Sequence, residues 1–516
     1  MNKRVSHIKN AAIVAAGSYF ESAIGLVVGV IVARSLGPDQ FGAYAFAIWL
    51  MGWLITACSQ SVTTVTIKFA AEALGRGDLV QASNIYGYLL RAQAYLSIGV
   101  LAVYALAFWL IHPPEWESTL FVYLAFSASA IWSKARFWMN GSICNSQERF
   151  EPENLALAYI AVLNLIAVAF WAWFSGSLIG YIGIFAATGC GALLLIRRQM
   201  SQRLKHFASN GPVPEELKRR IWFQIKATAA LVVISLLGNR AIETLLLKAT
   251  ATSAVVGFFA LAGTLTKGAV DLMTGGLNSV LLPAMSRKVG QSSKAGVGAM
   301  LSESSRYYNF LGLLVVGAGL TFAPGVVSLL YGAKYNAAIP AIVISLMIAG
   351  LTSVSAALYA YQTSTEKQAD RVAVAIITII GNLIFAIALI PRFGLNGALA
   401  SLAATRVLNL FATWIYVRRS LSNPLPLGVM GRQTIAMLIG LVPELVLRQT
   451  VAGPYLFILS FALFLLIFML CSVILRTWKP LDFDLCISIL NKVGVHGGPL
   501  VKLINAARSR YGLIAS

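Results

Sequence analysis

Fourteen apolar stretches, each long enough to cross a lipid bilayer, follow one another along this chain with short breaks between them. A span of about 20 apolar residues covers a hydrocarbon core of about 30 Å, and inside it every backbone N–H and C=O must bond within its own segment. The sequence therefore predicts an all-α polytopic membrane protein of about 14 helices. The spans fall at 11–35, 41–66, 88–111, 119–141, 155–175, 177–197, 225–247, 253–283, 307–331, 337–362, 372–390, 396–417, 433–448 and 454–475. At 58% hydrophobic and 11% charged residues, lipid is the expected solvent. The first apolar run, from Ala11 to Ser35, exceeds the 7–15 residues of a secretory-signal core and reads as a retained span.

A net charge of +21 would suggest nucleic-acid binding in a soluble protein, but its placement gives another account. Short cytoplasmic loops accumulate Lys and Arg. With Met1 inside, alternate loops hold the basic residues, eight of them between Arg197 and Lys226, while the opposite loops hold only Arg34, Lys248, Lys334, Arg392 and Arg448. This predicts a multi-pass protein of the cell (inner, cytoplasmic) membrane with both termini cytoplasmic, membrane lipids as partners and no nucleic acid. The five cysteines are dispersed without CxxC spacing, and the four histidines fall near loops or tails, so neither metal binding nor acid–base catalysis is signalled. No GxxxxGK[ST] loop is present, which argues against ATP as the direct energy source. The expectation is a protein that is not an enzyme and carries no cofactor beyond a coupling H+ or Na+.

The break from Arg197 to Lys226 contains Gly211-Pro212-Val213-Pro214 and reads as a linker between two six-helix halves. The domain reading is 1–200 for an N-lobe of helices 1–6, 201–224 for the cytoplasmic linker and 225–420 for a C-lobe of helices 7–12. Residues 421–480 hold helices 13–14, and 481–516 form a cytoplasmic amphipathic tail. The halves echo one another. The turn around Leu36-Gly37-Pro38-Asp39-Gln40-Phe41-Gly42 corresponds to Ala251-Thr252-Ser253-Ala254-Val255-Val256-Gly257, and Gly176-Ser177-Leu178-Ile179-Gly180 corresponds to Phe393-Gly394-Leu395-Asn396-Gly397. Six spans per copy is an even number, so both copies enter from the same side and the repeat is parallel.

Leu36-Gly37-Pro38-Asp39-Gln40-Phe41-Gly42, Leu282-Pro283-Ala284-Met285-Ser286-Arg287, Tyr331-Gly332-Ala333-Lys334-Tyr335 and Ile390-Pro391-Arg392-Phe393-Gly394-Leu395-Asn396-Gly397-Ala398 are together similar in order and spacing to a known family. They resemble the polysaccharide flippases, the lipid-linked oligosaccharide (O-antigen) translocases of the multidrug/oligosaccharidyl-lipid/polysaccharide exporter superfamily. The resemblance implies two six-helix lobes around a central hydrophilic cavity. It also implies alternating-access movement of a polyprenyl-pyrophosphate-linked glycan across the membrane, for cell-surface polymers such as lipopolysaccharide or exopolysaccharide. Glycan polymerase or export machinery would be a partner. One departure is that Asn239 precedes Arg240 where the family often has an acidic residue. The alternatives are a cation-coupled multidrug exporter of the same superfamily and, from another class, a glycan polymerase or ligase. The last needs a large extracytoplasmic loop that this sequence lacks.

An ionisable side chain at the bilayer centre costs roughly 2.5–3.5 kcal/mol on insertion scales, so each needs a partner or a wet cavity. Counting about 1.5 Å per residue from the span ends puts Glu21, Arg240, Lys267, Asp271 and Arg406 near mid-depth. The planar guanidinium binds phosphate oxygens in bidentate fashion and keeps its charge when desolvated. Arg240 and Arg406, then Lys267, are the candidate pyrophosphate ligands. In a purely structural alternative, Lys267 with Asp271 and Arg240 with Glu243 neutralise each other one turn apart. Glu21 and Asp271 are candidates for ion coupling, with a structural Glu21–Arg pairing equally open. Asn278, Asn164 and Asn382 suit sugar hydroxyls or, alternatively, helix–helix bonds of about 0.6 kcal/mol each. Gln60, Tyr359 and Gln362 are of the same kind. Lys134 and Arg136 lie near the cytoplasmic end of the fourth span, placed to snorkel or to receive a pyrophosphate on its way in. Trp49, Trp53, Trp109, Trp116, Trp171 and Trp173 suit an aromatic belt.

Overall fold

The computed structural model describes residues 3–203, 209, 211–236, 240–290, 294–365, 367–421, 425–450, 456–480, 482–484 and 487. Asn239 and most of the 481–516 tail lie outside them. Among the described residues all regular structure is helical. The order is α1 (Lys3–Gly75), α2 (Leu79–Leu110), a 3-10 turn (Pro114–Thr119), α3 (Leu120–Ser146), α4 (Glu151–Phe174) and α5 (Leu178–Arg203), followed by α6 (Glu215–Leu236), α7 (Ile242–Thr250) and α8 (Ser253–Gly290). Then come α9 (Lys294–Thr321), α10 (Ala323–Tyr331), a second 3-10 turn (Ala333–Ala338), α11 (Ile339–Leu351), α12 (Ser355–Ser364), α13 (Gln368–Arg418), α14 (Leu427–Thr450) and α15 (Leu456–Ile474).

Eight of the described helices are long and apolar enough to cross a membrane, or nine if α9 and α10, bent by 55°, form one span. The two longest are each two limbs joined at a glycine. In α1 the joint is Gly37 at φ 73°, which a side chain would strain. Pro38 follows, and its fixed φ and missing N–H suit the first turn of the second limb. In α13 the joint is Gly394 at φ 52°, three residues after Pro391. The first and second spans read from the sequence are thus the limbs of α1, and the eleventh and twelfth those of α13. The seventh falls on α6 and α7, with residues 237–239 between them outside the described residues.

The chain divides into two compact units, Met1–Ala260 and Leu261–Ser516. In the first, α1 packs on α2, α3, α4 and α6, and α3 on α5. One of its apolar clusters includes Phe69, Tyr86, Ile143 and Ile196. A second includes Met51, Tyr104, Trp116 and Tyr123. Trp116 therefore departs from the expected belt: the 3-10 turn folds it inward, 1% exposed, with its ring 4.2 Å from that of Tyr123. Trp109 and Trp173 remain exposed, as do Val103, Phe121 and Phe170. Apolar surface of this kind on water-facing protein would aggregate, and here it marks the lipid-facing side.

In the second unit α9 packs on α11, α14 and α15. Lipid is as apolar as leucine, so helices associate in it by close packing rather than by escape from water. The α9–α15 contact shows this. Phe310 stacks on Phe468 at 4.9 Å, and a Cβ at Gly317 would collide with the Phe464 ring.

The sequence echo has structural counterparts. Each 3-10 turn directly precedes a helix, α3 or α11, and each buries the aromatic at its third position, Trp116 or Tyr335. Gly180 packs on Trp171 and Gly397 on the Leu389 carbonyl, each against the end of the preceding helix or limb. The paired glycines Gly42 and Gly257 touch each other: a Cβ on Gly257 would lie 3.0 Å from the Gly42 Cα, and one on Gly42 would land on the Ser253 carbonyl.

Candidate functional site

Inside the first unit, α1, α3 and α4 gather charge. Glu21 of α1 and Lys134 of α3 are electrostatic neighbours, and Glu21 also senses Glu153 of α4. The Lys134 stem passes 3.2 Å from where a Cβ of Gly189 would sit, and its ammonium lies over the Phe185 ring at 4.0 Å. Arg136 donates to the Leu90 carbonyl at 2.7 Å and to Gln93 Oε1 at 2.9 Å, and Gln93 donates to Ser97 Oγ at 3.2 Å. The Glu153 carboxylate accepts from Asn145 Nδ2 at 2.8 Å. Sequence reasoning found Glu21, Lys134 and Arg136 but passed over Glu153 and Gln93. Glu151-Pro152-Glu153 looks like the acidic, proline-started first turn of a surface helix. Its one betraying signal is Gly141, where any side chain would meet the Glu153 carboxylate at 2.8–3.0 Å.

Arg240 lies immediately before α7, with left-handed backbone at φ 59°. A left-handed conformation at a residue with a side chain costs of order 1–3 kcal/mol and persists where surrounding structure holds it, most often at binding and switch sites. Its carbonyl accepts from Thr244 Oγ1 at 2.8 Å, and its guanidinium lies 5.1 Å from the Phe259 ring centre. Glu243, in the first turn of α7, is buried. Asn164, on α4 of the same unit, is half-buried.

The second unit carries the other sequence-derived candidates. Lys267 and Asp271 are both exposed on α8, and among the described residues no ion pair joins them. Asn278 also lies on α8, but its side chain is outside the described residues. On α13, Asn382 is buried and accepts from Thr405 Oγ1 at 3.2 Å, and the adjacent Arg406 is exposed. One turn on, Asn409 donates to Thr378 Oγ1 at 3.1 Å and to Tyr359 Oη at 3.3 Å. Gln362, on α12 with Tyr359, is 1% exposed, and neither of its amide atoms finds a hydrogen-bond partner among the described residues. Gln60 is exposed. The structure thus brings together Glu21 and Lys134 in one unit, and in the other Asn382 with Thr405 and Asn409 with Tyr359 and Thr378. Among the described residues no three His, Cys, Asp or Glu side chains converge as metal ligands would.

Residues 200–340, which include Arg240, Lys267 and Asp271, match a family described as polysaccharide biosynthesis protein. No curated protein matches the chain in sequence. In structure it is similar to the lipid II flippase MurJ in an inward closed conformation, with a TM-score of 0.72 at 14% identity over 89% of this chain and 98% of that one. The chain has the MurJ fold. An inward-facing multidrug resistance MATE family transporter of the MOP superfamily shares that fold, with a TM-score of 0.65 at 14% identity over 78% of this chain and 94% of the transporter. The Vibrio cholerae MATE transporter VcmN in its bent form gives 0.52 at 14% identity over 81% and 99%. The family match and the MurJ fold agree with the resemblance carried by the sequence motifs.

Proposed function

We propose that this protein is a flippase that moves a polyprenyl-pyrophosphate-linked oligosaccharide from the cytoplasmic to the outer leaflet by alternating access, for cell-surface polysaccharide synthesis. The fourteen-span, two-lobe organisation in the cytoplasmic membrane, with both termini inside, is part of the same reading. The observation that carries it is Arg240, a cation held with left-handed backbone at the start of α7, within the segment that matches the polysaccharide biosynthesis family. A guanidinium there offers a planar fork to a pyrophosphate. Arg406 and Lys267 add positive charge, and Lys134 and Arg136 receive the headgroup from the cytoplasmic side. Asn164, Asn278 and Asn382 contact sugar hydroxyls, and Glu21 with Asp271 couples H+ or Na+.

The test is translocation of a lipid-linked oligosaccharide in proteoliposomes containing the wild type, Arg240→Lys or Arg240→Ala. Loss of one charged, bidentate partner costs about 2–5 kcal/mol, so Arg240→Ala should slow translocation at least 30-fold, with Arg240→Lys between. Equal rates for all three would remove Arg240 from the site. A second reading, a cation-coupled multidrug exporter, is favoured by the MATE structures and by the Glu21–Lys134 pair. It requires efflux of organic cations that Glu21→Gln abolishes, with no movement of lipid-linked glycan.

A further inference from the structure

The first unit contains a cavity of about 600 Å³ formed by four chain segments, all at helix ends that the charge asymmetry assigns to the outer side of the membrane. The second limb of α1 contributes Asp39 and Gln40, the 3-10 turn Ser118 and Thr119, the start of α5 Ser177, and the start of α8 Ser253. The rest of the wall is apolar: Ala43, Leu178, Ile179 and Trp116. No lysine or arginine is among these lining residues.

That donor set selects a ligand class. Four hydroxyls, a carboxamide and one carboxylate offer closely spaced donors and acceptors to a neutral molecule rich in hydroxyl groups. The apolar wall suits the C–H face of a sugar ring. A phosphate or carboxylate would meet the Asp39 carboxylate, and Lys248, which reaches the wall by its 2.9 Å bond to Ser253 Oγ, would offset at most one charge. A greasy drug would cover this polar lining without bonding to it. The volume falls within the 300–1,000 Å³ of ordinary ligand sites, enough for a short oligosaccharide.

The walls are also fixed in advance. Trp116 is wedged on Tyr123, which stacks on Phe108 at 4.7 Å. The Ser177 carbonyl accepts from Trp171 Nε1 at 3.1 Å, and Ser253 Oγ accepts from Lys248 Nζ at 2.9 Å. The Gly42–Ser253 backbone approach sets the distance across the cavity from α1 to α8. Preorganised walls lower the entropic cost of holding a weakly binding sugar.

We propose that this cavity is an extracytoplasmic saccharide-binding subsite, separate from the mid-depth cations and taking the uncharged sugar portion of a glycan. That the occupant is the transported glycan rests on the flippase reading; that the cavity binds neutral saccharide does not. The probe is the pool of free oligosaccharides released by mild acid from the lipid-linked glycans of the source cells. Saturation-transfer NMR is recorded with the full-length protein in lipid nanodiscs. Ser118→Trp fills the cavity, and Asp39→Asn removes the carboxylate without changing its shape. The wild type should transfer saturation to the sugar, with a reduction of at least fivefold in Ser118→Trp and a smaller one in Asp39→Asn. Thermal unfolding of each variant in the same nanodiscs identifies one that has failed to fold, and Asp39→Asn then carries the comparison. No transfer from the wild type, or equal transfer from the wild type and both folded variants, overturns the subsite.

Translocation of the intact lipid-linked glycan by the wild type, measured in parallel, separates the two ideas. Translocation without saturation transfer sinks the subsite alone. Cavity-dependent transfer without translocation upholds the subsite and sinks the flippase reading.

Discussion

The backbone contact between Gly42 and the start of α8 makes a quantitative prediction. A methyl group at Gly42 would overlap the Ser253 carbonyl carbon and oxygen and would lie 3.2 Å from the Ala254 nitrogen. These are backbone atoms, so no rotamer change relieves the clash and the two segments must part. Overpacking of this kind costs about 1–3 kcal/mol. At about 2 kcal/mol the equilibrium between the closed contact and an opened one moves about 30-fold toward opening. At Gly257 the added methyl would meet Gly42 N and Cα at 3.0 Å and the Pro38 carbonyl at 3.1 Å, tight but not overlapping, so Gly257→Ala should shift less. Gly52 has open space around its would-be Cβ, so Gly52→Ala should leave the equilibrium unchanged. The assay places a cysteine at Ala43, which is 1% exposed, and follows its labelling by a membrane-impermeant maleimide. Labelling should rise in the order Gly52→Ala, Gly257→Ala, Gly42→Ala, reaching about 30-fold in the last. If Gly42→Ala labels at the wild-type rate and unfolds at the wild-type temperature, the contact is not under the steric limit argued here.

Asp482 makes a pH-dependent prediction. It receives Arg306 Nη1 at 2.6 Å and Nη2 at 2.9 Å, a bond from Tyr307, and the Lys479 backbone N–H at 2.7 Å, with the ion-paired side chains 5% and 3% exposed. Burial alone would raise its carboxyl pKa, but these donors outweigh it and hold the group below its ordinary value of 3.8. A depressed folded value stabilises above the unfolded value and is lost as pH falls through the folded one. Because Arg306 keeps Glu303 as a partner, Asp482→Asn should cost about 1.5–3 kcal/mol near neutrality, and the gap in unfolding temperature from wild type should close below about pH 4. A gap independent of pH would assign the loss to packing instead. For the buried, unsatisfied Gln362, Gln362→Leu removes polar atoms that lack partners and should raise stability by about 1 kcal/mol. A stabilised variant that still translocates makes Gln362 a packing residue, and a stabilised one that does not makes it part of the transport path.

What was legible in the sequence is what local chemistry encodes. Gly37-Pro38 and Pro391 with Gly394 mark helix joints because only glycine accepts those φ values without strain and proline cannot continue an interior hydrogen-bond ladder. The echo between Gly180 and Gly397 was readable because each of these glycines sits at a close contact that a side chain would fill. The left-handed backbone at Arg240 was not: no proline interrupts stretch 225–247, and the residue concerned is an arginine rather than a glycine. Trp116 was misread because amphipathic tryptophan near a span end suits a lipid interface as well as a core, and the 3-10 turn that decides between them has no strong local signal. Lys134 and Glu21 are far apart in sequence, as are Arg306 and Asp482, and pairing at such distance is set by tertiary packing that periodicity does not report.

The partners Arg306 and Asp482 are 176 residues apart. At translation rates of about 5–20 residues per second, the Arg306 guanidinium, paired early with Glu303 of its own helix, waits roughly 10–35 s after synthesis for its buried partner Asp482. During that interval α9 has no neutralising Asp482 and α14 and α15 are still unmade, so the later helices act as a completion signal. A chain interrupted before Asp482 would leave Arg306 with Glu303 of its own helix, a partly exposed polar pair at an unfinished packing surface, for the cell's membrane-protein surveillance to act on.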